Sequence, residues 1–71
     1  MERLDVYHSD PNILDGTPVF RGTRVPVQHL LDYLAAGEPL DEFLAGFPTV
    51  TREQAVAFLG LAKEAVLAAA P

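Results

Sequence analysis

Asp15-Gly16-Thr17-Pro18-Val19-Phe20-Arg21-Gly22-Thr23-Arg24-Val25-Pro26-Val27 is the stretch whose reading decides the fold, because extended chain ends within it and helix begins. Val19-Phe20 and Val25 are strand-forming residues on either side of Arg21-Gly22-Thr23-Arg24, and Pro18 and Pro26 keep both strands short. A ribbon of this size is marginal alone and has to pack on helices or pair with another chain. Upstream, Leu4-Asp5-Val6 alternates, and Asp10-Pro11-Asn12 and Asp15-Gly16-Thr17 are turn chemistry. Residues 1–26 are therefore expected to form a β-arm or small hairpin whose exposed edge invites a partner.

Downstream the period changes. After Pro26, Val27, Leu30, Leu31 and Leu34 fall at helical spacing and Gly37 supplies a stop, which predicts a first helix over 27–36. Pro39 opens a second, in which Leu40, Phe43, Leu44 and Phe47 repeat the spacing, Asp41 and Glu42 suit the first-turn dipole, and Gly46 and Pro48 end it. Thr51-Arg52-Glu53-Gln54 matches a capping box: the threonine hydroxyl accepts from the backbone three residues on, and the glutamine side chain reaches back. The third helix starts there. It carries two apolar stripes, Ala55-Phe58-Leu59-Ala62-Val66 and Val56-Ala57-Leu61-Ala65-Ala68. Two short companion helices and an arm can hardly cover both. The second stripe, with Val56, Leu61 and Ala65 as its interface residues, is expected to meet a partner chain; a helix enclosed by its own domain and a frayed alanine-rich end are the competing readings.

Seventy-one residues make one domain (1–26 arm, 27–70 helices), with 49% hydrophobic residues and a mean hydropathy of +0.16. That composition excludes disorder, and in a chain that buries only about 60% of its unfolded surface it points to association, a homo-oligomer included. The absence of cysteine excludes a disulfide scaffold, thiolate zinc ligation and thiol catalysis. No uninterrupted apolar run is long enough to span a membrane, and the opening residues are too acidic for a signal peptide, so a cytoplasmic location is expected.

Charge is polarised along the chain. The net charge is −5, which disfavours nucleic-acid binding over the whole surface. Between Asp15 and Asp32, however, there is no acid, and the run holds Arg21, Arg24 and His29. Gly22 permits a positive backbone angle, so Arg21 and Arg24 can be thrust out together as an anion-binding fork. Three destinations are open for them: partner carboxylates, DNA phosphates, or Asp15 and Asp32 of the same domain. The spacing of the second and third helices permits a helix-turn-helix, with Arg52, Gln54 and Lys63 as donors, but Glu53 and Glu64 would face the same polyanion. His8 with Asp10 and His29 with Asp32 are close His–carboxylate pairs, and no phosphate loop, nucleophile elbow or metal-ligand set accompanies them. An enzyme is not expected, nor is a cofactor.

The Gly-x-Pro-x-x-Arg-Gly-Thr-Arg core, met by Gly16, Pro18, Arg21, Gly22, Thr23 and Arg24, together with Leu34-Ala35-Ala36-Gly37, Phe47-Pro48 and Thr51-Arg52-Glu53-Gln54, resembles the prokaryotic domain-of-unknown-function family four hundred and thirty-three. The family pattern has two glycines before that proline where this chain has Gly16-Thr17. The resemblance covers nearly the whole chain. It implies a mainly α, three-helix, homeodomain-like domain with a short N-terminal β element. It also implies an antitoxin of a type II toxin-antitoxin pair, encoded beside a PIN-like nuclease, that neutralises this toxin and represses its own operon as a dimer on operator DNA. A free-standing helix-turn-helix regulator and a homodimeric interaction module are the alternatives.

Overall fold

The computed structural model describes residues 2–70, the side chain of Leu4 excepted. A single helical turn, α1 (Arg3–Val6), leads into β1 (Tyr7–His8); a 3-10 turn at Leu14–Gly16 precedes β2 (Val19–Phe20); then come α2 (Val27–Ala35), α3 (Leu40–Gly46) and α4 (Arg52–Ala69). The protein is mainly helical, with three helices behind a short antiparallel β element, as the periodicity predicts.

β1 pairs with β2 with Tyr7 opposite Phe20 and His8 opposite Val19. The ladder extends where the Arg21 N–H donates to the Val6 carbonyl at 2.9 Å. On the other side of β2, the Phe20 N–H donates to the Val25 carbonyl at 2.9 Å and Val19 bridges to Pro26, so Val25-Pro26 acts as a third, minimal strand. Proline closes that edge, having no N–H to offer a further strand.

Each helix begins and ends where local chemistry demands it. Pro26 and Pro39 precede α2 and α3, and Asp41 and Glu42 lie in the first turn of α3. Gly37, at φ +85°, closes α2: its N–H donates to Leu34 and the Glu38 N–H to Tyr33, the paired bonds of a Schellman motif. Thr51 caps α4, its Oγ1 accepting from the Gln54 N–H at 3.0 Å.

The core holds Val6, Phe20, Leu30, Phe43, Val50, Ala55 and Phe58. Phe20 is its hub, 5.6 Å from Phe58 in an edge-on contact and 6.1 Å from Phe43, while Tyr7 meets Phe58 edge-on at 5.9 Å. The arm thus contributes aromatic mass to the helical core, which is how so small a β element acquires stability.

Three expectations need correction. Leu4-Asp5-Val6 is not extended: the Asp5 N–H donates to Glu2 and the Tyr7 N–H to Arg3, forming the turn α1. Three alternating residues are too few to impose a strand, and pairing with β2 begins only at Tyr7. Secondly, the Gln54 side chain does not reach back to its own helix. It is 7% exposed, and its Nε2 donates to the Val6 and Arg21 carbonyls, both at 3.0 Å. A buried pair of arm carbonyls outcompetes a solvated cap. Thirdly, the stripes of α4 do not separate as expected. Ala57 and Leu61 of the second stripe pack on the domain's own core, whereas Val66 of the first is 68% exposed. With 18 residues α4 is about 27 Å long, roughly twice the length of the nine-residue α2, and from Lys63 onward it outruns its companions.

Replacing Gln54 tests the arm's attachment. Gln54→Ala strips a donor from two carbonyls and is expected to cost about 2–3 kcal/mol, seen as a lower urea midpoint at unchanged slope. Gln54→Glu, which sets a carboxylate against the same oxygens, is expected to cost at least as much.

Candidate partner-binding site

The Arg-Gly-Thr-Arg segment is built as a tight reverse turn. The Thr23 N–H donates to the Phe20 carbonyl at 3.0 Å, and Gly22, third of the four residues, sits at φ +80°, the position where a type II turn requires glycine. Thr23 locks it twice: its hydroxyl donates to the Phe20 carbonyl at 2.8 Å and accepts from the Val25 N–H at 3.0 Å. Phe20, anchored in the core, and Gln54, holding the Arg21 carbonyl, fix the base of the turn to α4. Its tip, Arg21, Gly22 and Arg24, is exposed.

The two arginines have different settings. Arg21 is the diagonal neighbour of His8 across the β1–β2 pair, on the same sheet face, and its Nη1 lies 2.8 Å from His8 Nδ1. A guanidinium only donates, so Nδ1 accepts and the ring proton sits on Nε2. Nε2 is buried and has no hydrogen-bond partner among the described residues. Arg24 makes no side-chain hydrogen bond or ion pair among the described residues, where the one ion pair joins Arg52 to Asp41. Neither arginine is paired with Asp15 or Asp32, so the internal salt bridges considered above are not formed.

Beside the turn lies an open, chiefly apolar cleft of about 570 Å³. Ile13 and Val25 supply its apolar wall, Gly22, Thr23 and Arg24 one rim, and His8 and Thr49 the remainder; no carboxylate lines it. Sequence reasoning missed Ile13, Thr49 and His8 as members of this site. The loop between β1 and β2 carries Ile13 back to the turn through an Asx turn, in which Asp10 Oδ1 accepts the Asn12 N–H at 2.8 Å and the Asp10 carbonyl accepts the Ile13 N–H at 2.8 Å. The Asp10-Pro11-Asn12 string signals that turn; nothing local signals what it delivers.

The other candidates disperse. Asp10 is engaged by Asn12 and His8 by Arg21. Asp32 accepts from Gln28 Nε2 at 3.1 Å, and the His29 ring lies against Phe47 with centroids 5.6 Å apart. No group of three His, Cys, Asp or Glu side chains suited to a metal occurs among the described residues. Of the donors considered for DNA on α4, Gln54 is buried and Arg52 is held by Asp41, leaving Lys63. Of the interface residues, Val56 is 53% exposed and Ala65 is exposed, but Leu61 is half-buried against the core. No helix among the described residues is long and apolar enough to cross a membrane.

Fold and turn together define a small tri-helical domain that presents a rigid, cationic β-turn. The family described as protein of unknown function DUF433 matches residues 8–62, and the chain belongs to that family. An uncharacterised protein, y4eO of Sinorhizobium fredii, is 42% identical over 60 residues; the match covers 75% of this chain but only 27% of that protein's length. The crystal structure of a DUF433 member from Anabaena variabilis superposes with a TM-score of 0.72 at 30% identity, over 84% of this chain and 59% of that one.

Two substitutions test the turn. Gly22→Ala meets no neighbouring atom, so its cost is backbone strain alone, about 1 kcal/mol. Thr23→Val removes both hydroxyl bonds and is expected to cost about 1–3 kcal/mol and to speed exchange of the Val25 amide, as read by hydrogen-exchange NMR.

Proposed function

We propose that this domain is a binding protein, the antitoxin of a type II pair, whose Arg21-Gly22-Thr23-Arg24 turn engages the carboxylate cluster of a PIN-like nuclease in the cytoplasm. The observation that carries the reading is the Arg24 guanidinium: exposed, without a protein acceptor among the described residues, and held on a turn fixed at both ends. A nuclease that gathers carboxylates around a divalent metal offers a matching anion, and an arginine in the metal's place would silence it.

α4 supplies a second surface. Val56, Val66 and Leu67 are 53%, 68% and 65% exposed, and the protruding end is apolar apart from Lys63 and Glu64. We assign the face shared by Val56 and Leu67, eleven residues apart and so about 20° apart around the helix, to a homo-oligomeric contact; Ala65, nine residues from Val56, lies on the opposite side. Operator binding then falls to the paired basic arms of the dimer, since α4 retains few free donors. A free-standing helix-turn-helix regulator is less well supported, for the same reason.

Coexpression with the product of the adjacent gene tests the antitoxin reading: growth arrest by that product is expected to be relieved, and the two proteins to copurify at micromolar concentration. Arg24→Glu is expected to weaken the complex by about thirtyfold or more, and a carboxylate-to-lysine change in the nuclease to restore it. Failure to copurify rejects the reading. Separately, Val56→Arg with Leu67→Arg, both at exposed positions, is expected to convert the oligomer to a folded monomer by sedimentation analysis.

A further inference from the structure

We infer that the cleft beside the turn is a peptide-binding subsite that takes an apolar side chain with an adjacent carboxylate, so that the partner presents a hydrophobic–acidic pair; this rests on the reading of Arg24 as a partner contact. Two features of the cleft set the ligand chemistry. Its volume of about 570 Å³ lies within the range of roughly 300–1,000 Å³ typical of binding clefts, and its wall is chiefly carbon, supplied by Ile13 and Val25. An ion alone would leave that wall wet. Its rim carries a positive charge with no carboxylate among the lining residues, although the chain as a whole is at −5. No carboxylate lines the cleft, so charge complementarity favours an anionic partner here.

The free polar groups set the arrangement. The Thr23 hydroxyl is spent on Phe20 and Val25, and Arg21 is engaged by His8. Arg24 and the Thr49 hydroxyl hold no protein partner among the described residues. One planar guanidinium and one hydroxyl on an apolar wall match one carboxylate beside one apolar side chain. A phosphodiester backbone is a poorer match: it offers no apolar group to the wall, and it asks for a row of free cations where the cleft has one.

The test uses the folded, nitrogen-15-labelled chain. The probes are the peptide acetyl-Ser-Leu-Asp-Ser-amide, its Leu→Ala and Asp→Asn forms, inorganic phosphate and a short DNA duplex. The Leu-Asp peptide is expected to shift the Ile13, Thr23, Arg24, Val25 and Thr49 amides with a dissociation constant on the order of 1 mM. Each peptide substitution is expected to weaken binding about tenfold. Arg24→Gln and Thr49→Trp, the second filling the cleft from an exposed position, should each abolish the shifts while leaving the rest of the spectrum in place. If the peptide moves no cleft amide, or binds Arg24→Gln equally well, the inference is overturned. If phosphate or the duplex reproduces the shifts, or Leu→Ala changes nothing, the cleft binds anions alone and the apolar half of the inference is lost. The copurification described above is independent of the cleft wall, so the subsite can fail while the antitoxin reading stands, and the reverse.

Discussion

A single buried amide on α4 holds both sides of the arm. Gln54 Nε2 donates to carbonyls 48 and 33 residues away in sequence, those of Val6 and Arg21. These flank the two strands on opposite sides of the arm, where the Val6 carbonyl also receives the Arg21 N–H. Two such bonds contribute about 1–3 kcal/mol against a total stability of roughly 4–11 kcal/mol for 71 residues, a large share for one side chain. The arm has little else of its own, since each strand is two residues long. Thr51 still satisfies the Gln54 N–H, while the Gln54 side chain, which a full capping box would turn back to the Thr51 N–H, crosses to the arm instead.

Phe20 works beside Gln54. Its ring enters the core between Phe43 and Phe58, and its carbonyl takes both the Thr23 N–H and the Thr23 hydroxyl. The residue that anchors the arm is therefore also the first residue of the glycine-containing turn. Core packing and turn geometry are coupled through one backbone unit, and a change that shifts the Phe20 ring displaces Arg21 and Arg24. Val19, equally buried but outside the main cluster, lies on the opposite sheet face with His8 and Arg21. The sheet thus separates an aromatic face that holds the domain together from a polar face that borders the cleft.

What the sequence discloses follows the range of the forces involved. The helix limits at Pro26, Gly37, Pro39 and Thr51 depend on chemistry within a turn of the chain, and they are legible. The positive angle at Gly22 is legible for the same reason. Gln54 is not, because its pattern also satisfies a local capping rule, and only the arrival of a distant arm decides between the two. The His8–Arg21 contact depends on a strand register set by a loop whose length says nothing of its path. The stripes on α4 were ambiguous because periodicity reports which residues are apolar on one face, while burial depends on how far neighbouring helices extend; α2 and α3 stop short, and Val66 is left in water. The cleft is the least legible element, since Ile13, Val25 and Thr49 come from three separate segments.

The fixed turn has an energetic consequence for recognition. A flexible arm would have to order several residues on meeting a partner, at about 1–2 kcal/mol of backbone entropy for each. Here the turn is already closed by the Phe20–Thr23 and Thr23–Val25 bonds and tied to α4 by Gln54, so that cost is met in folding. What remains is the side-chain entropy of Arg24 and the desolvation of one guanidinium. A small contact area can then give useful affinity. On the proposed reading the same rigidity would restrict the partner, since a turn that cannot adapt favours an acidic surface of matching shape over acidic surfaces in general.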